Sequence, residues 1–225
     1  MTTLVITPTY NEADNIEKFL DSILELELEI LIVDDNSPDG TSAIVQRYID
    51  MNKSVHLLLR EEKLGLGSAY REGFQWAIDR NYQHIVEMDA DFSHQFSDLK
   101  RLLTFKNKAG LVIGSRYTKG GRTQGWSFFR KQLSINANRL TRFLKRSSVK
   151  DMTSGFRVYT KEAILKTNFF ESNLDGYAFQ IDMVLRCLNK GIVVLEVPIT
   201  FIERQEGASK LNKNIIIEAI KFLFN

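Results

Sequence analysis

The sequence predicts an α/β fold with a mostly parallel central sheet flanked by helices. Short apolar runs alternate with segments in which apolar residues recur at helical spacing. Most of these runs are continuously apolar, as in strands that are covered on both faces. Repeated strand–helix units favour a parallel sheet with right-handed crossovers. Since the 225 residues include only 3 Pro and 13 Gly and no low-complexity linker, we expect one domain over residues 1–225.

The apolar runs give the predicted strands in chain order. They are residues 3–7, 29–34, 55–59, 84–88, 111–113 and 192–195. In a parallel α/β sheet, ligands bind at the carboxyl ends of such strands. The residues that follow each run are therefore the first place to look for a site.

Helical periodicity fills the intervals between these runs. We expect helices between the first two strands, between the second and third strands, and over residues 68–79. After residue 114 the pattern changes, because residues 116–150 interleave basic side chains with aromatic and aliphatic ones. Residues 212–224 predict a further amphipathic helix, which either packs on the core or rests on a membrane or a partner.

Charge is unevenly distributed along the chain. The totals are balanced, with 30 Lys and Arg against 28 Asp and Glu. Residues 99–150, however, contain no Asp or Glu and hold fourteen of those 30 basic residues. Such a segment attracts phosphates on a ligand, a nucleic acid or a membrane surface, unless it is simply a solvated helix face.

Composition excludes several classes of protein. The single cysteine, Cys187, rules out an internal disulfide framework and suits a reducing compartment. The longest apolar runs stay well below 18 residues, so we expect no transmembrane helix. The first residues also lack the basic lead of a signal peptide. We therefore expect a cytoplasmic protein.

Acidic and polar side chains follow three of the predicted strands. These clusters are residues 7–12, 34–41 and 89–91. Any one of them is also typical of a helix cap. Asp89 and Asp91 are the most informative, because side chains two residues apart in extended backbone point the same way. Two carboxylates at one place indicate a cation between them, and oxygen ligands suit Mg²⁺ or Mn²⁺ with pyrophosphate oxygens completing the shell.

An ordered set of motifs resembles the family 2 glycosyltransferases, and among them the dolichol-phosphate mannose synthases (polyprenol monophosphomannose synthases). The resemblance covers nearly the whole chain. The motifs are PTYNE at 8–12, VDDNSPDGT at 33–41, GLGSAY at 65–70, MDAD at 88–91, GSRY at 114–117, TSGFR at 153–157, VPI at 197–199 and RQEGASK at 204–210.

The resemblance implies a GT-A fold and an inverting transfer of mannose from GDP-mannose to a polyprenyl (dolichyl) monophosphate. Residues 1–115 would form the nucleotide-sugar part, and residues 116–225 the acceptor-binding, membrane-facing part with its amphipathic helices. A lipid acceptor implies peripheral association with the cytoplasmic face of a membrane. A membrane-anchored partner subunit is another route to the same surface, and no nucleic acid is expected.

The resemblance also assigns roles to matching residues. Asp89 and Asp91 would hold Mg²⁺ or Mn²⁺, and some relatives have a glutamine where this chain has Ser93. Catalytic roles would fall to Asp91, Arg116 and Arg130. The implied substrate-binding residues are Pro8, Tyr10, Glu12, Val33 and Asp35 for guanosine; Asp89, Ala90 and Asp91 for the diphosphate; Arg116, Arg204 and Lys210 for donor phosphates or sugar; and Arg130, with Lys131, for the acceptor phosphate.

Three alternatives stay open. A related transferase would use UDP-glucose or UDP-N-acetylglucosamine with the same lipid acceptor. A nucleotidyltransferase would need a glycine-rich phosphate loop after the first strand, which PTYNE at 8–12 does not supply. A basic nucleic-acid-binding α/β protein would bind in a strongly salt-dependent way and would ignore nucleotide sugars.

Overall fold

The computed structural model describes residues 2–203, 218 and 221–223. Strands and helices alternate through most of this part of the chain. The strands are β1 (Thr3–Thr9), β2 (Glu29–Asp34), β3 (Val55–Leu59), β4 (His84–Glu87), β5 (Leu111–Ser115), β6 (Arg122–Gln124), β7 (Arg157–Thr160), β8 (Val194–Pro198) and β9 (Thr200–Ile202). The helices are α1 (Ala13–Leu24), α2 (Thr41–Met51), α3 (Leu66–Asp79), α4 (Phe96–Leu103), α5 (Phe128–Leu144), α6 (Lys161–Lys166), α7 (Gly176–Asn189) and a 3-10 helix over Phe169–Glu171.

The central sheet has seven strands in the order β3-β2-β1-β4-β7-β5-β8. All neighbours are parallel except β7, which runs antiparallel between β4 and β5. The predicted α/β class and mostly parallel sheet are therefore confirmed. The carboxyl ends of β1, β2 and β4 lie at the same edge, because Thr9 pairs with Asp34 and Ile6 pairs with Glu87.

A hydrophobic layer covers each face of the sheet. Along β1, Leu4 and Ile6 pack into the layer that contains α3 and α7, whereas Val5 packs into the layer of α1 and α2. This alternation follows from the two-residue period of a strand. Both layers are fully buried at the centre, which explains why the strand sequences are continuously apolar.

Helix α5 departs from this pattern, because little of it is buried. Asn138 and Thr141 are its buried residues. Most of its large apolar side chains face solvent instead, with Phe128 79%, Phe129 76% and Phe143 80% exposed. Ser127 caps the helix by accepting a hydrogen bond from the Arg130 backbone N–H. The basic segment of the sequence, residues 116–150, thus contains a helix that exposes both apolar and basic side chains.

The predicted C-terminal helix lies largely outside the described residues. Glu218 and residues 221–223 are helical. Phe222 and Leu223 pack against the α3 and α7 layer, so core packing holds for these two side chains. None of the helices in the described ranges combines the length and the hydropathy needed to cross a bilayer.

Candidate active site

A cleft of about 460 Å³ opens at the carboxyl ends of β1, β2 and β4. Its walls come from the turns after these strands, from the loops around residues 63–66 and 153–155, from the beginning of α7, and from Trp126, Arg130, Phe201 and Glu203. Its volume suits a ligand of drug or nucleotide size. The position is the one at which α/β sheets bind their ligands.

The turn after β2 divides its acidic residues between structure and site. Asp34 Oδ2 accepts hydrogen bonds from Thr9 Oγ1 (2.8 Å) and Ser37 Oγ (2.6 Å), so this carboxylate holds the turn. Asp39 caps the beginning of α1 and α2 through the backbone N–H groups of Ala13 and Thr41. Asp35 is the member of the motif that lines the cleft.

Asp35 lies on the buried guanidinium of Arg60, with 2.9 Å between Arg60 Nε and Asp35 Oδ1. Burial raises the pKa of Asp35 to about 6, and Arg60 opposes that shift. Next to it, Lys63 Nζ lies 4.0 Å from the centre of the Tyr10 ring. This end of the cleft therefore offers an aromatic face, a cation and a carboxylate that can accept N–H donors from a base.

The acidic end of the cleft is built by the turn after β4. Asp89, Ala90 and Asp91 all line the cleft, and Asp91 is 7% exposed. Asp91 Oδ1 accepts a hydrogen bond from the Ser93 backbone N–H at 3.0 Å, which fixes this carboxylate in the turn. The Ser93 hydroxyl oxygen is buried, with no hydrogen-bond partner among the described residues.

His94 supports this turn from below. Its Nδ1 accepts a hydrogen bond from the Asp89 backbone N–H at 3.3 Å, and its ring stacks on Phe156 with 4.6 Å between centroids. Burial lowers the pKa of His94 to about 4, so the imidazole is neutral near pH 7. The sequence gives no sign of this role, because the contact depends on how the chain turns after β4.

The donor set at this turn fits a hard divalent cation. Within the described ranges, no group of three or more His, Cys, Asp and Glu side chains is arranged to hold a metal ion. A site with only two carboxylates, such as Asp89 and Asp91, still suits Mg²⁺, because proteins commonly bind this ion through one or two carboxylates while substrate phosphates complete its shell. The buried, unpartnered Ser93 hydroxyl adds a further oxygen beside Asp91.

Arg116 lies in the cleft wall, where it is paired with Asp151. Arg116 Nε and Nη2 donate to the two carboxylate oxygens of Asp151 at 2.8 and 2.7 Å, and Nη2 also donates to Thr153 Oγ1. Burial lowers the pKa of Arg116, but the charge and the hydrogen bonds of Asp151, together with Tyr117 and Tyr177, outweigh burial and the net shift is upward. Three of the five guanidinium donors are thus engaged, and Nη1 carries the other two.

Arg130 lies at the mouth of the cleft, in the first turn of α5. Its Nη1 lies 2.5 Å from Glu203 Oε1, and its guanidinium carbon lies 4.4 Å from the centre of the Trp126 ring. The pair is partly solvated, since the Arg130 and Glu203 side chains are 36% and 39% exposed. The opening therefore presents a basic side chain beside the exposed phenylalanines of α5.

The cleft brings together most of the residues proposed from the sequence. Those that line it are Pro8, Tyr10, Glu12, Asp35, Asp89, Ala90, Asp91, Arg116 and Arg130. The Val33 side chain is fully buried in the layer of α3, and its predicted contribution to the guanosine pocket stays a prediction. Lys131 is exposed on α5. Arg204 and Lys210 lie outside the described residues.

Several cleft residues escaped the sequence reasoning. The cleft is also lined by residues to which the sequence motifs assign no role in the site, namely Lys63, Trp126, Asp175, Tyr177, Gln180 and Glu203. Asp175, for example, accepts a hydrogen bond from the Gly67 backbone N–H and contacts the position where Gly65 would carry a Cβ. Such contacts join residues about a hundred positions apart, so local motifs do not reveal them.

Residues 4–167 match the family model described as Glycosyl transferase family 2. The chain belongs to this family. It is 43% identical over 222 residues to a polyprenol monophosphomannose synthase of Mycolicibacterium smegmatis, covering 97% of this chain and 84% of that protein. It is also 40% identical over 222 residues to an undecaprenyl-phosphate mannosyltransferase of Micrococcus luteus, covering 98% of this chain and 91% of the other.

Solved glycosyltransferases share the fold. The glucosyl-3-phosphoglycerate synthase of Mycobacterium tuberculosis, solved with Mn²⁺, UDP and glucosyl-3-phosphoglycerate, superposes with a TM-score of 0.70 at 19% identity, covering 99% of this chain and 78% of that chain. A mannosyltransferase from Pyrobaculum calidifontis, solved with GDP-Man and Mn²⁺, superposes with a TM-score of 0.58 at 21% identity, covering 92% of this chain and 58% of that chain. The predicted GT-A fold is thereby confirmed, and the protein is a glycosyltransferase.

Proposed function

We propose that this glycosyltransferase moves mannose, with inversion, from GDP-mannose to a polyprenyl monophosphate. The observation that carries the proposal is one cleft with an acidic turn on its floor and Arg130 with the exposed apolar helix α5 at its mouth. A nucleotide sugar needs the first feature and a lipid phosphate needs the second. The two relatives that align over nearly the full chain, a polyprenol monophosphomannose synthase and an undecaprenyl-phosphate mannosyltransferase, support mannose as the sugar and a polyprenyl phosphate as the acceptor.

The donor would lie along the floor of the cleft. Asp35 would accept N–H groups of guanine, while Pro8, Tyr10 and Glu12 line the same end. Asp89 and Asp91 would hold Mg²⁺ or Mn²⁺ against the diphosphate, in the same cleft as Arg130. When bound, the cation supplies Lewis-acid stabilisation of the negative charge on the departing GDP.

The acceptor needs no protein base. A phosphate monoester is already anionic near pH 7, so one of its oxygens can bond to the anomeric carbon as the bond from that carbon to the diphosphate oxygen breaks. Asp182, which carboxyl chemistry would suggest as a base, is instead paired with Arg186 at 2.7 Å on α7. The cost of the reaction is the approach of two anions, and Arg116 and Arg130 would offset it electrostatically.

Helix α5 would bring the cleft to the lipid. Phe128 and Phe129 lie immediately before Arg130 and are exposed, so their rings can enter the interfacial region of a bilayer while the guanidinium meets the phosphate. Basic residues on the same helix, including Lys131 and Arg139, would add attraction to anionic lipids. With this arrangement the protein would be a peripheral membrane enzyme. A membrane-anchored partner that binds the same helix would serve the same purpose.

The proposal divides the domain into two parts. Residues 1–115 contain β1 to β5 and carry the donor-binding turns. Residues 116–225 contain α5 and the cleft residues from Arg116 to Glu203, and would bind the acceptor and face the membrane. The two parts share one central sheet, because β7 and β8 pair with strands of the first part.

The test is transfer of radiolabelled mannose from GDP-mannose to a short polyprenyl phosphate with Mg²⁺ or Mn²⁺, run beside UDP-glucose and UDP-N-acetylglucosamine. We expect transfer from GDP-mannose alone. Asp91→Ala should abolish it while the protein stays folded, and Asp79→Ala, an exposed aspartate at the end of α3, is the matched control. Transfer from a UDP-sugar, or full activity of Asp91→Ala, would contradict the proposal.

A further inference from the structure

Glu203 contacts the group to which the proposed function assigns the acceptor phosphate. Its Oε1 lies 2.5 Å from Arg130 Nη1, and both side chains line the mouth of the cleft. Trp126 lies against the same guanidinium at 4.4 Å. Arg130 is thus held between an aromatic face and a carboxylate at the place where a lipid phosphate would arrive.

The backbone fixes both partners, so the pair is a built feature of the cleft. Glu203 follows β9, and its N–H donates to Gln124 O at 2.9 Å at the end of β6. Gly125 has φ +86°, and a side chain there would lie 2.9 Å from Glu203 Cβ, so the close approach depends on this glycine. On the other side, the Ser127 cap sets the first turn of α5 and with it the position of Arg130.

The ion pair between Arg130 and Glu203 differs from the Arg116 pair in its exposure to solvent. The Arg116 guanidinium is held by two hydrogen bonds to buried Asp151, whereas the Arg130 pair with Glu203 is partly solvated. A partly solvated ion pair is weak, so an incoming anion can replace the carboxylate. A phosphate monoester brings a charge of about −1.5 to −2 against −1 for Glu203, which favours the exchange.

We propose, on the basis of the proposed function, that Glu203 is a positioning residue for Arg130, and that its carboxylate occupies the acceptor-phosphate position on Arg130 until a phosphate displaces it. The carboxylate keeps the guanidinium oriented toward the cleft in the acceptor-free enzyme. A ligand without an anionic group has nothing to exchange for the carboxylate. Every phosphate acceptor therefore binds more weakly than the guanidinium alone would allow, whereas the binding of an uncharged ligand does not depend on Glu203.

The experiment measures acceptor binding without transfer. Trp126 fluorescence reports on the pair, and Trp76→Phe removes the other tryptophan, which lies on α3 beside Arg80. In this background, geranyl phosphate, inorganic phosphate and geraniol are titrated into the parent, Glu203→Gln and Glu203→Asp. The matched control is Glu162→Gln, which removes a carboxylate from an exposed ion pair with Lys166 on α6.

We expect Glu203→Gln to bind geranyl phosphate and inorganic phosphate about threefold more tightly, because a competing charge is lost while an amide oxygen still faces Arg130. Glu203→Asp keeps the charge and should stay closer to the parent. The Kd values for geraniol and GDP should not change, and steady-state kinetics should show a lower KM for the acceptor.

Other outcomes overturn the inference in distinguishable ways. Equal or weaker binding of geranyl phosphate by Glu203→Gln would mean that the carboxylate only supports the local structure. Tighter binding of geraniol or GDP by Glu203→Gln would also mean that the carboxylate only supports the local structure. If neither the parent nor Glu203→Gln binds geranyl phosphate while both bind GDP, the proposed acceptor itself is wrong, and the role of Glu203 is wrong with it.

Discussion

The substitution Asp151→Asn tests the buried ion pair that holds Arg116 in the cleft wall. Asp151 is fully buried and accepts hydrogen bonds from the Arg116 backbone N–H, Nε and Nη2, all between 2.7 and 2.9 Å. Replacing the carboxylate by an amide leaves a buried guanidinium without its counter-charge. Removing one partner of a buried pair destabilises proteins by about 3–5 kcal/mol. We take about 3 kcal/mol, because the amide oxygen keeps one acceptor.

Urea and thermal unfolding measure this effect directly. For a chain of this length, about 3 kcal/mol corresponds to a fall in Tm of roughly 6–12 °C. The m-value should not change, since the same surface is exposed on unfolding. Glu162→Gln breaks an exposed pair and should not shift the midpoint measurably. A loss below about 1 kcal/mol for Asp151→Asn would refute the reasoning that this pair fixes Arg116.

Three further predictions concern the donor, the membrane and the acceptor. Lowering the pH from about 7 to about 5 should weaken GDP binding roughly tenfold in calorimetry, because protonation of Asp35, with its pKa of about 6, removes an acceptor for guanine. Asp35→Asn should bind GDP weakly at both pH values, and a wild-type affinity for GDP that does not change with pH would contradict the role of Asp35. Replacing Phe128 and Phe129 by Ser should reduce sedimentation of the protein with anionic vesicles at least tenfold, since two aromatic side chains no longer enter the bilayer. The control is Met51→Ser, a similarly exposed apolar residue on α2, and unchanged sedimentation of the Phe128 and Phe129 variant would exclude α5 as the membrane contact. Arg130→Ala should raise the KM for polyprenyl phosphate about tenfold or more and change the Kd for GDP less than threefold, because a charge-assisted hydrogen bond to the acceptor phosphate is lost. A large change in the Kd for GDP with an unchanged KM for polyprenyl phosphate would reject the assignment of Arg130 to the acceptor.

The sequence predicted the parallel part of the sheet well, because those strands are buried on both faces and read as continuous apolar runs. Strand β7 was missed, since Arg157 and Thr160 interrupt its apolar pattern and Arg157 is fully buried among backbone carbonyls. Strand β6 contains no aliphatic residue and was missed for the same reason. Polar side chains that are satisfied by the fold look like loop residues in a sequence.

The candidate site divides in a similar way. Asp35, Asp89 and Asp91 were predictable, because each follows a buried strand and strand ends converge at one edge of the sheet. The partners that set their chemistry were not. Asp151 lies 35 residues from Arg116, and Glu203 lies 73 residues from Arg130, so only the tertiary fold brings each pair together. Val33 belongs to the same motif as Asp35, yet its side chain packs in the core, and the motif alone does not distinguish the two orientations.

The most direct test of the metal role is binding of Mn²⁺ in the presence of GDP, followed by electron paramagnetic resonance. If the turn after β4 holds a cation against the diphosphate, the wild-type protein should bind Mn²⁺ much more tightly with GDP than without it. Asp91→Ala should lose at least tenfold in that affinity, whereas Asp79→Ala should keep it. Equal Mn²⁺ affinity in Asp91→Ala and the wild type would contradict the proposed role of this carboxylate pair.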